Sequence, residues 1–366
     1  MRKFRRIFRT VPDPRADNAW HNLQEILFIA LVAVLCGAEG PSDMAAFGKS
    51  KEALLRRVLR LKHGIPSHDT FSRVFRELDP RAFERAFRCF LSAFAKANGI
   101  NLTGVVAIDG KALRGAYERG ASATPLHMVN VWAVGARMVL AQFKAPGRNE
   151  AQGALEVLEL VGLRGCTVTA DALHCHRAFA TKVRAQGGHY VLALKRNRRT
   201  LFADAVRLFR RAGKRSSAER GDPSTHDRSE LRRATVIRAA GLAIKHRFPG
   251  IAAVARVSCR RRLHGKRSEA IVRYFLLSTY MSAKRLLQVA RSHWSIENQM
   301  HWVLDVIFDE DGCRVRKDNG PENLAILRGL ALNILRSDPN PGSMRQKIKR
   351  AGWDDAFLIN MLSQMR

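Results

Sequence analysis

Two aspartates that follow apolar runs are the first candidates for chemistry. Asp109 comes directly after VVAI, and Asp171 comes directly after VTA. Ligand sites form where the strands of an α/β sheet end, so we expect the two carboxylates to converge at one edge. Converging carboxylates would hold a hard cation such as Mg²⁺, which prefers oxygen ligands. The competing interpretation is a plain turn, because Asp-Gly is a common turn pair and Asp171 is a plausible cap.

A third carboxylate has to come from another part of the chain, and Glu297 is the candidate. It lies in a predicted helix, on which the spacing puts His301 and Asp305 on the same face, one and about two turns further on. An exposed Glu on an amphipathic helix is the competing interpretation. The rival third ligands lie close by: Asp309, Glu310 and Asp311.

Other motifs are weaker. His174 and His176 flank Cys175, but no second pair of ligands has a spacing suited to zinc. The segment 110–115, GKALRG, lacks the earlier Gly and the Ser or Thr of a phosphate-binding loop. The carboxylates therefore remain the best candidates for chemistry.

The elements that must position these acids follow an α/β pattern. Apolar and β-branched runs alternate with helix-period segments in the order β-β-β-α-β-α-β: strands at 102–110, two within 128–145, a helix at 150–163, a strand at 166–174, a helix at 179–186 and a strand at 189–195. This order predicts an α/β fold with a mixed sheet. Strand-like pieces recur between 232 and 278, and the segment 283–316 returns to a helical pattern.

The N-terminal hundred residues read differently. A basic arm over 1–20 precedes a helical region over 21–100, where Ser67 follows a turn and can cap an Arg-rich helix. A helix-turn-helix DNA reader and a small helical domain that packs its own core both fit this pattern.

Charge excludes several classes of protein. The 366 residues carry 64 Lys+Arg against 32 Asp+Glu, a net charge of +32, which indicates a polyanionic partner. The segment 195–275 alone holds 23 Lys+Arg and 6 Asp+Glu.

The longest apolar run, 26–37, is too short for a spanning helix of about 20 residues, so we expect a buried core helix. The six cysteines form no CxxC pair and suit a reducing cytoplasm. A soluble cytoplasmic nucleic-acid protein is expected.

Several ordered motifs resemble the DDE transposases of bacterial insertion sequences, and more narrowly the H-repeat-associated group. The motifs are IDGKALRG with Asp109, TADALHCH with Asp171, and HWSIENQMHWVLDVIFDEDGCRVR with Glu297. The resemblance extends to VPDPRADNAWHNLQEIL, GIPSHDTFSRVF, RNEAQGALEVLELVGLRG, GGHYVLALKRN and NLAILRGLALNILR, and so covers nearly the whole chain.

The resemblance implies a ribonuclease-H-like mixed sheet flanked by helices, with a β-rich insertion and an N-terminal helical domain. It also implies that Asp109, Asp171 and Glu297 hold two divalent ions, Mg²⁺ or alternatively Mn²⁺. Two metals about 3.5–4 Å apart would activate water or a DNA 3′-hydroxyl and stabilise the leaving oxygen. The first step would nick the element end, and the second would join it to target DNA. Glu297 comes 126 positions after Asp171, which leaves room for the insertion.

The chain departs from the family pattern around the helix acid. Related transposases commonly carry a Tyr-Arg-Glu-Lys signature, but here Arg291 stands six residues before Glu297, and position 304 is Leu. A Lys contact to the end phosphate is therefore in doubt. The candidates to replace it are Arg291, His301 and Lys317.

His176 and His189 stand where relatives prefer other polar residues. A catalytically inactive or domesticated DNA-binding copy is therefore the alternative function. A general ribonuclease-H-type nuclease is a third. The three acids and their flanks are intact, which favours an active transposase.

Two basic clusters are candidates for phosphate contacts, which position DNA without reading its sequence. The first follows a strand that leads from the core: Lys195, Arg196, Asn197, Arg198 and Arg199. The second surrounds a predicted hairpin at 264–265: Arg260, Arg261, Arg262, Lys266 and Arg267. Arg291 is a further candidate, and a solvated basic face is the competing interpretation.

The predicted organisation has four parts. A helical domain at 1–100, which is a candidate for DNA binding, precedes the first part of the catalytic core at 101–200. The basic β-rich insertion follows at 201–280, and the helical remainder of the core with a tail occupies 281–366. The expected partners are the element's terminal inverted repeats and target DNA, with no membrane. The resemblance implies a homodimer assembled on DNA, in the cytoplasm at the nucleoid.

Overall fold

The computed structural model describes residues 2–117, 125–211, 216–225, 228–263 and 266–365. The chain divides into two compact units. The first comprises Met1–Leu102, Gly110–Gly153 and Glu297–Arg366, and the second comprises Thr103–Asp109 and Ala154–Ile296. The hairpin predicted at 264–265 lies outside the described residues.

The strands are β1 Gly104–Tyr117, β2 Pro125–Ala133, β3 Met138–Lys144, β4 Cys166–Ala170, β5 His189–Leu194, β6 Ser216–Thr225, β7 Arg228–Arg238, β8 Ala253–Leu263, β9 Lys266–Arg267 and β10 Ile271–Leu277.

The α-helices are α1 Arg2–Phe8, α2 Leu23–Leu35, α3 Pro41–Ser50, α4 Glu52–Arg56, α5 His68–Glu77, α6 Pro80–Ala97, α7 Glu150–Glu159, α8 Arg177–Ala185, α9 Arg199–Arg211, α10 Ala240–Lys245, α11 Ala283–His293, α12 Trp302–Val306, α13 Gly320–Ser337, α14 Met344–Trp353 and α15 Asp355–Ser363. Short 3₁₀ turns lie at Pro146–Arg148 and Arg196–Arg198, and a π-helix spans Ile296–His301.

Two apolar helices form the core of the first unit. The long apolar run of the sequence forms α2, where all residues but Gln24 and Glu25 are buried. A helix that is hydrophobic on every side must be buried, so the prediction of a core helix is confirmed. Helix α13 packs against α2, α5, α6 and β3. Within the described ranges, no helix is both long enough and apolar enough to cross a membrane.

The second unit is built on a mixed sheet in the order β1-β4-β5-β10-β8-β7-β6, with β9 paired to β8. Strand β4 pairs in parallel with β1 and with β5. The pairs β5–β10, β10–β8, β8–β7 and β7–β6 are antiparallel. The predicted order β-β-β-α-β-α-β from β1 to β5 is confirmed. Strands β6 to β10 lie within 201–280, together with helix α10 and most of α9.

Strand β1 is longer than the sequence pattern predicts. Its parallel pairing with β4 ends at the pair Ile108–Ala170, but the strand continues to Tyr117. The prediction that Asp109-Gly110 ends the strand is therefore wrong. The physical reason is that β1 has a second neighbour, β2, on its other edge. Strand β4 ends at Ala170, four residues before the end of the predicted strand 166–174, and Asp171 follows its last residue.

The helical pattern predicted for 283–316 is interrupted. Helix α11 ends at His293, the π-helix comes next, and α12 ends at Val306. The acidic segment after it is irregular, because Asp309 adopts a left-handed backbone with φ of 47° that no helix continues.

A buried glutamate makes the stability of the first unit depend on pH. Burial raises the pKa of Glu84 from 4.5 to about 8, although Arg88 opposes this with an ion pair of 2.8 Å. The folded state thus keeps a proton that the unfolded chain loses above pH 4.5. The stability from this group is fully present below pH 4.5 and is lost as pH rises through about 8.

We expect Glu84→Gln to remove this dependence, because the amide oxygen still accepts from the Gln142 N–H, which lies 3.2 Å from Glu84 Oε1. The measurement is urea denaturation of both proteins across this pH range. Relative to wild type, the variant should gain stability as pH rises. Glu52→Gln is the matched control, because Glu52 pairs with Arg56 at the same i,i+4 spacing on the surface. Parallel pH profiles for wild type and Glu84→Gln would contradict the assignment.

Candidate functional site

Asp109 and Asp171 leave two adjacent parallel strands at the same register. Each comes directly after the last residue of the β1–β4 pairing, Ile108 and Ala170 respectively. Neighbouring strands lie about 4.8 Å apart, so the two aspartates start from adjacent backbone positions. Both are half-buried. The second unit therefore brings together the first two predicted acids.

The loop that carries Asp171 is held by hydrogen bonds. Asp171 Oδ1 accepts from the Leu173 N–H at 2.8 Å, which closes a local turn. The Asn197 side-chain amide donates to the Ala172 carbonyl at 2.8 Å, and Arg198 Nε donates to the Cys175 carbonyl at 2.9 Å. This turn is compatible with Asp171 as a metal ligand and also with the competing interpretation of Asp171 as a cap. The segment after β5 holds the loop in place.

His293, at the end of α11, lies beside this loop. Its Nδ1 is 3.1 Å from the hydroxyl of Thr169 in β4. Burial lowers the pKa of His293 to about 4; the charge of Asp171 opposes this shift, and His174 and Arg273 add to it. The imidazole is therefore neutral at pH 7 and forms no ion pair with Asp171.

The first unit supports β1 just beyond Asp109. His127 Nε2 and Glu150 Oε2 are 2.8 Å apart, and both lie against Gly110. A Cβ on Gly110 would come within 2.4 Å of Glu150 Oε2, so only glycine fits there. Successive side chains of a strand point to opposite faces, so this pair lies on the face opposite to the Asp109 side chain. It supports the backbone rather than adding a ligand.

Glu297 lies in the π-helix of the first unit, with its side chain exposed. His301, which the sequence places on the same helical face, is buried, and its Nε2 lies 3.3 Å from the Asn130 amide. Single-turn π-helical segments are frequent at functional sites. Arg336 donates to the Gln299 carbonyl, which satisfies one oxygen that the irregular turn frees.

A buried ion cluster fixes the segment after Glu297. Lys111 Nζ is 2.6 Å from Asp305 Oδ1 and also bonds Glu310 Oε2. Burial works against the charge of Lys111, but the carboxylates of Glu310 and Asp305 prevail and raise its pKa. The same burial raises the pKa of Asp305. Glu310 is thus engaged by Lys111, and among the other rivals Asp311 accepts from the Arg114 N–H at 3.2 Å.

The donor chemistry decides which groups fit a hard cation. Asp109 and Asp171 offer half-buried carboxylate oxygens from adjacent strands, which fit Mg²⁺ or Mn²⁺. Burial raises the pKa of the Cys175 thiol to about 12, and His176 Nδ1 accepts from the Phe179 N–H, so neither the thiol nor this ring nitrogen is a free ligand. Over the described ranges, no three His, Cys, Asp or Glu side chains form a ready metal cluster.

The first set of predicted DNA contacts divides in two. Asn197 and Arg198 bond the Asp171 loop, whereas Lys195, Arg196 and Arg199 are exposed. Arg291, near the end of α11, is also exposed.

The second set lies on β8 and β9. Arg261 Nε is 2.9 Å from Glu230 Oε1 across the β7–β8 pair, so its charge is compensated. Arg260 and Arg262 point to the opposite face and are exposed. The side chains of Lys266 and Arg267 lie outside the described part of the structure.

Sequence reasoning missed four side chains at this site: Lys111, His127, Glu150 and His293. Two of them could have been found in the sequence: Lys111 is a charge within an apolar segment, and His293 is an imidazole close to Glu297. The partners of each one are distant in sequence, up to 199 residues for Lys111 and Glu310.

Two models of known protein families match the chain. The family model described as "Transposase DDE domain" matches residues 101–334. The model described as "DDE_Tnp_1-associated" matches residues 5–91.

Individual relatives cover most of the chain. It is 30% identical over 366 residues to the "H repeat-associated putative transposase YhhI" of Escherichia coli (strain K12), covering 96% of each protein. It is 39% identical over 270 residues to the "Uncharacterized protein in dhlA 3'region" of Xanthobacter autotrophicus, covering 71% of this chain and 89% of the relative. A chain of the piggyBac transposase synaptic complex with hairpin DNA aligns with a TM-score of 0.43 and 13% identity, over 98% of this chain and 77% of that one.

We expect Lys111→Met to destabilise the protein by about 3 kcal/mol, because the buried Glu310 keeps only the more distant Arg328, at 4.0 Å, and the half-buried Asp305 loses its cation. Lys51→Met is the matched control: Lys51 Nζ is also 2.6 Å from an aspartate oxygen, on Asp355, but this pair is at the surface. The control should cost less than about 1 kcal/mol. Chemical denaturation measures both. Equal losses would show that the Lys111 cluster is not a buried constraint.

We expect Arg260→Ala to reduce the slope of log K against log salt by about one for DNA binding, because one phosphate contact is lost. Arg261→Ala should leave the slope unchanged, since Glu230 already compensates its charge. Fluorescence anisotropy over a salt series gives both slopes. A larger effect from Arg261 than from Arg260 would place DNA on the opposite face.

Proposed function

The chain belongs to the DDE transposase family, in the H-repeat-associated group, and from that premise we propose that it cuts the ends of an insertion sequence and joins them to target DNA. The observation that carries the proposal is the pair of aspartates. Asp109 and Asp171 leave adjacent parallel strands at one register, within the segment that the family model matches.

In this proposal Asp109, Asp171 and Glu297 are the catalytic residues and would hold the metal ions. Divalent cations, when bound, would supply Lewis-acid stabilisation of the charge that develops in an in-line phosphoryl transfer. Carboxylate oxygens suit Mg²⁺ and also Mn²⁺. Nicking and strand transfer are both phosphoryl transfers, so the same carboxylates can serve both.

The surroundings of Asp171 support this role. The turn over Asp171–Leu173 aims the carboxylate, and the bonds from Asn197 and Arg198 hold its loop. His293 beside this loop is neutral at pH 7 and adds no positive charge that would compete with a cation. A site that must bind charge benefits from such pre-organisation, because less reorganisation is needed when the substrate arrives.

The exposed π-helix supports the role of Glu297. His301 and Gln299 anchor this helix on one side through Asn130 and Arg336, while Glu297 stays accessible. The carboxylate can therefore meet a large substrate such as DNA without unfolding its support.

The excess of positive charge supports DNA as the partner. Lys195, Arg196, Arg199, Arg260 and Arg262 are exposed and would contact phosphates. These contacts would hold terminal inverted repeats and target DNA in place while the acids act. Cutting two ends in one reaction would require two copies of the chain, assembled on DNA.

We expect Asp109→Asn, Asp171→Asn and Glu297→Gln each to abolish Mg²⁺-dependent nicking of the element's own end DNA. DNA binding should stay within about threefold of wild type, because the substitutions remove metal ligands and no phosphate contact. The assays are a nicking gel and a binding titration on the same DNA. Asp355→Asn, an exposed aspartate paired with Lys51, is the control and should cut normally.

Two outcomes would overturn this assignment. Wild type that binds the end DNA but does not nick it would indicate the alternative, an inactive or domesticated DNA-binding protein. Cleavage of RNA–DNA hybrids without any need for inverted repeats would indicate a general nuclease.

A further inference from the structure

A cavity of about 510 Å³ in the first unit lies far along the chain from the three acids. The loop before α2 forms one wall, including Arg15, Trp20 and His21. Helix α5 forms the other, through Thr70, Arg73 and Glu77, which share one helical face at spacings of three and four. Its volume is in the range that holds small organic ligands.

Trp20 is the unusual residue of this cavity. Its side chain is 76% exposed, although large apolar side chains normally contribute to a core. The indole and the His63 imidazole have ring centroids 5.9 Å apart, and His63 in turn meets His21 at 6.3 Å. The exposed indole is thus supported by two further rings and presents a flat face.

The loop that carries Trp20 is fixed in place. Arg15 bonds both carboxylate oxygens of Asp13, at 2.9 and 2.7 Å, and donates to the His21 carbonyl at 2.6 Å. Its side chain is almost fully buried, so Arg15 braces the loop and offers no charge to a ligand. A pre-set aromatic surface loses little entropy on binding.

The free positive charge lies on α5. Arg73 is exposed and, in the described ranges, enters no ion pair with another side chain. Glu77 stands one turn further on and repels anions, so a phosphate would contact the Arg73 side of the cavity. A flat exposed ring beside one free guanidinium matches one nucleotide, with its base on the ring and its phosphate on the cation.

We propose that this cavity binds an unpaired nucleotide of DNA, with the base stacked on Trp20 and the adjacent phosphate at Arg73. A paired base has both faces covered by its neighbours in the duplex, so the indole can stack only on a base that is unpaired or displaced. The inference rests on the proposed function, in which DNA is the partner. It adds a site for single-stranded DNA outside the catalytic acids.

The test compares the full-length chain with variants on an oligothymidylate strand and on a duplex of the same length. Trp20→Ala should weaken binding of the single strand roughly tenfold, the effect of one stacked base, and leave the duplex unchanged. Trp20→Phe keeps an aromatic face and should recover most of the affinity. Trp353→Ala is the matched control, since Trp353 is 77% exposed at the end of α14, and it should change neither affinity.

Arg73→Ala should weaken binding of the single strand and lower its salt slope by about one. Thermal unfolding of each variant checks that it folds. Equal loss on strand and duplex, or no loss from Trp20→Ala in a folded protein, overturns the stacking site while leaving DNA binding intact. Wild type that binds neither probe overturns DNA as the partner, and with it both proposals.

Discussion

The parallel pairing of β1 with β4 is the constraint on which the candidate site depends. It fixes the register of the two strands, so that Asp109 and Asp171 each follow the last paired residue of their strand. Neighbouring strands lie about 4.8 Å apart, so the two aspartates start from adjacent backbone positions. Burial keeps the nearby imidazole of His293 neutral at pH 7. Two half-buried carboxylates placed in this way suit an oxygen-liganded divalent ion, as the proposal requires.

The rest of the molecule supports this small acidic site within a strongly basic protein. The 3₁₀ turn after β5 holds the Asp171 loop, and the His127–Glu150 pair lies against Gly110 of β1. In the first unit, Lys111 binds α12 through Asp305 and the segment after it through Glu310. Basic side chains that bond carboxylates and carbonyls stabilise the fold, whereas exposed ones such as Arg260 are candidates for contacts to DNA phosphates. Net charge alone does not separate these two groups.

Local patterns in the sequence predict much of this. The end of β4 before Asp171 is readable, because a short apolar run meets turn residues. The buried α2 is readable from its length and continuous hydrophobicity. The extension of β1 past Asp109 is not, because it depends on a second strand on the other edge. The π-helix at Glu297 is hidden as well, since its residues continue an ordinary helical pattern while Asn130 and Arg336, distant in sequence, stabilise the irregular turn.

The most direct measurement replaces Mg²⁺ by Fe²⁺ and generates hydroxyl radicals at the bound ion, which cut the polypeptide chain nearby. We expect cuts close to Asp109, Asp171 and Glu297, all suppressed by excess Mg²⁺. Asp171→Asn should remove the cuts in all three segments together, because one site produces them. Cuts at 109 and 171 without any near 297, or cuts confined to other segments, would contradict the claim that these three acids form one metal site.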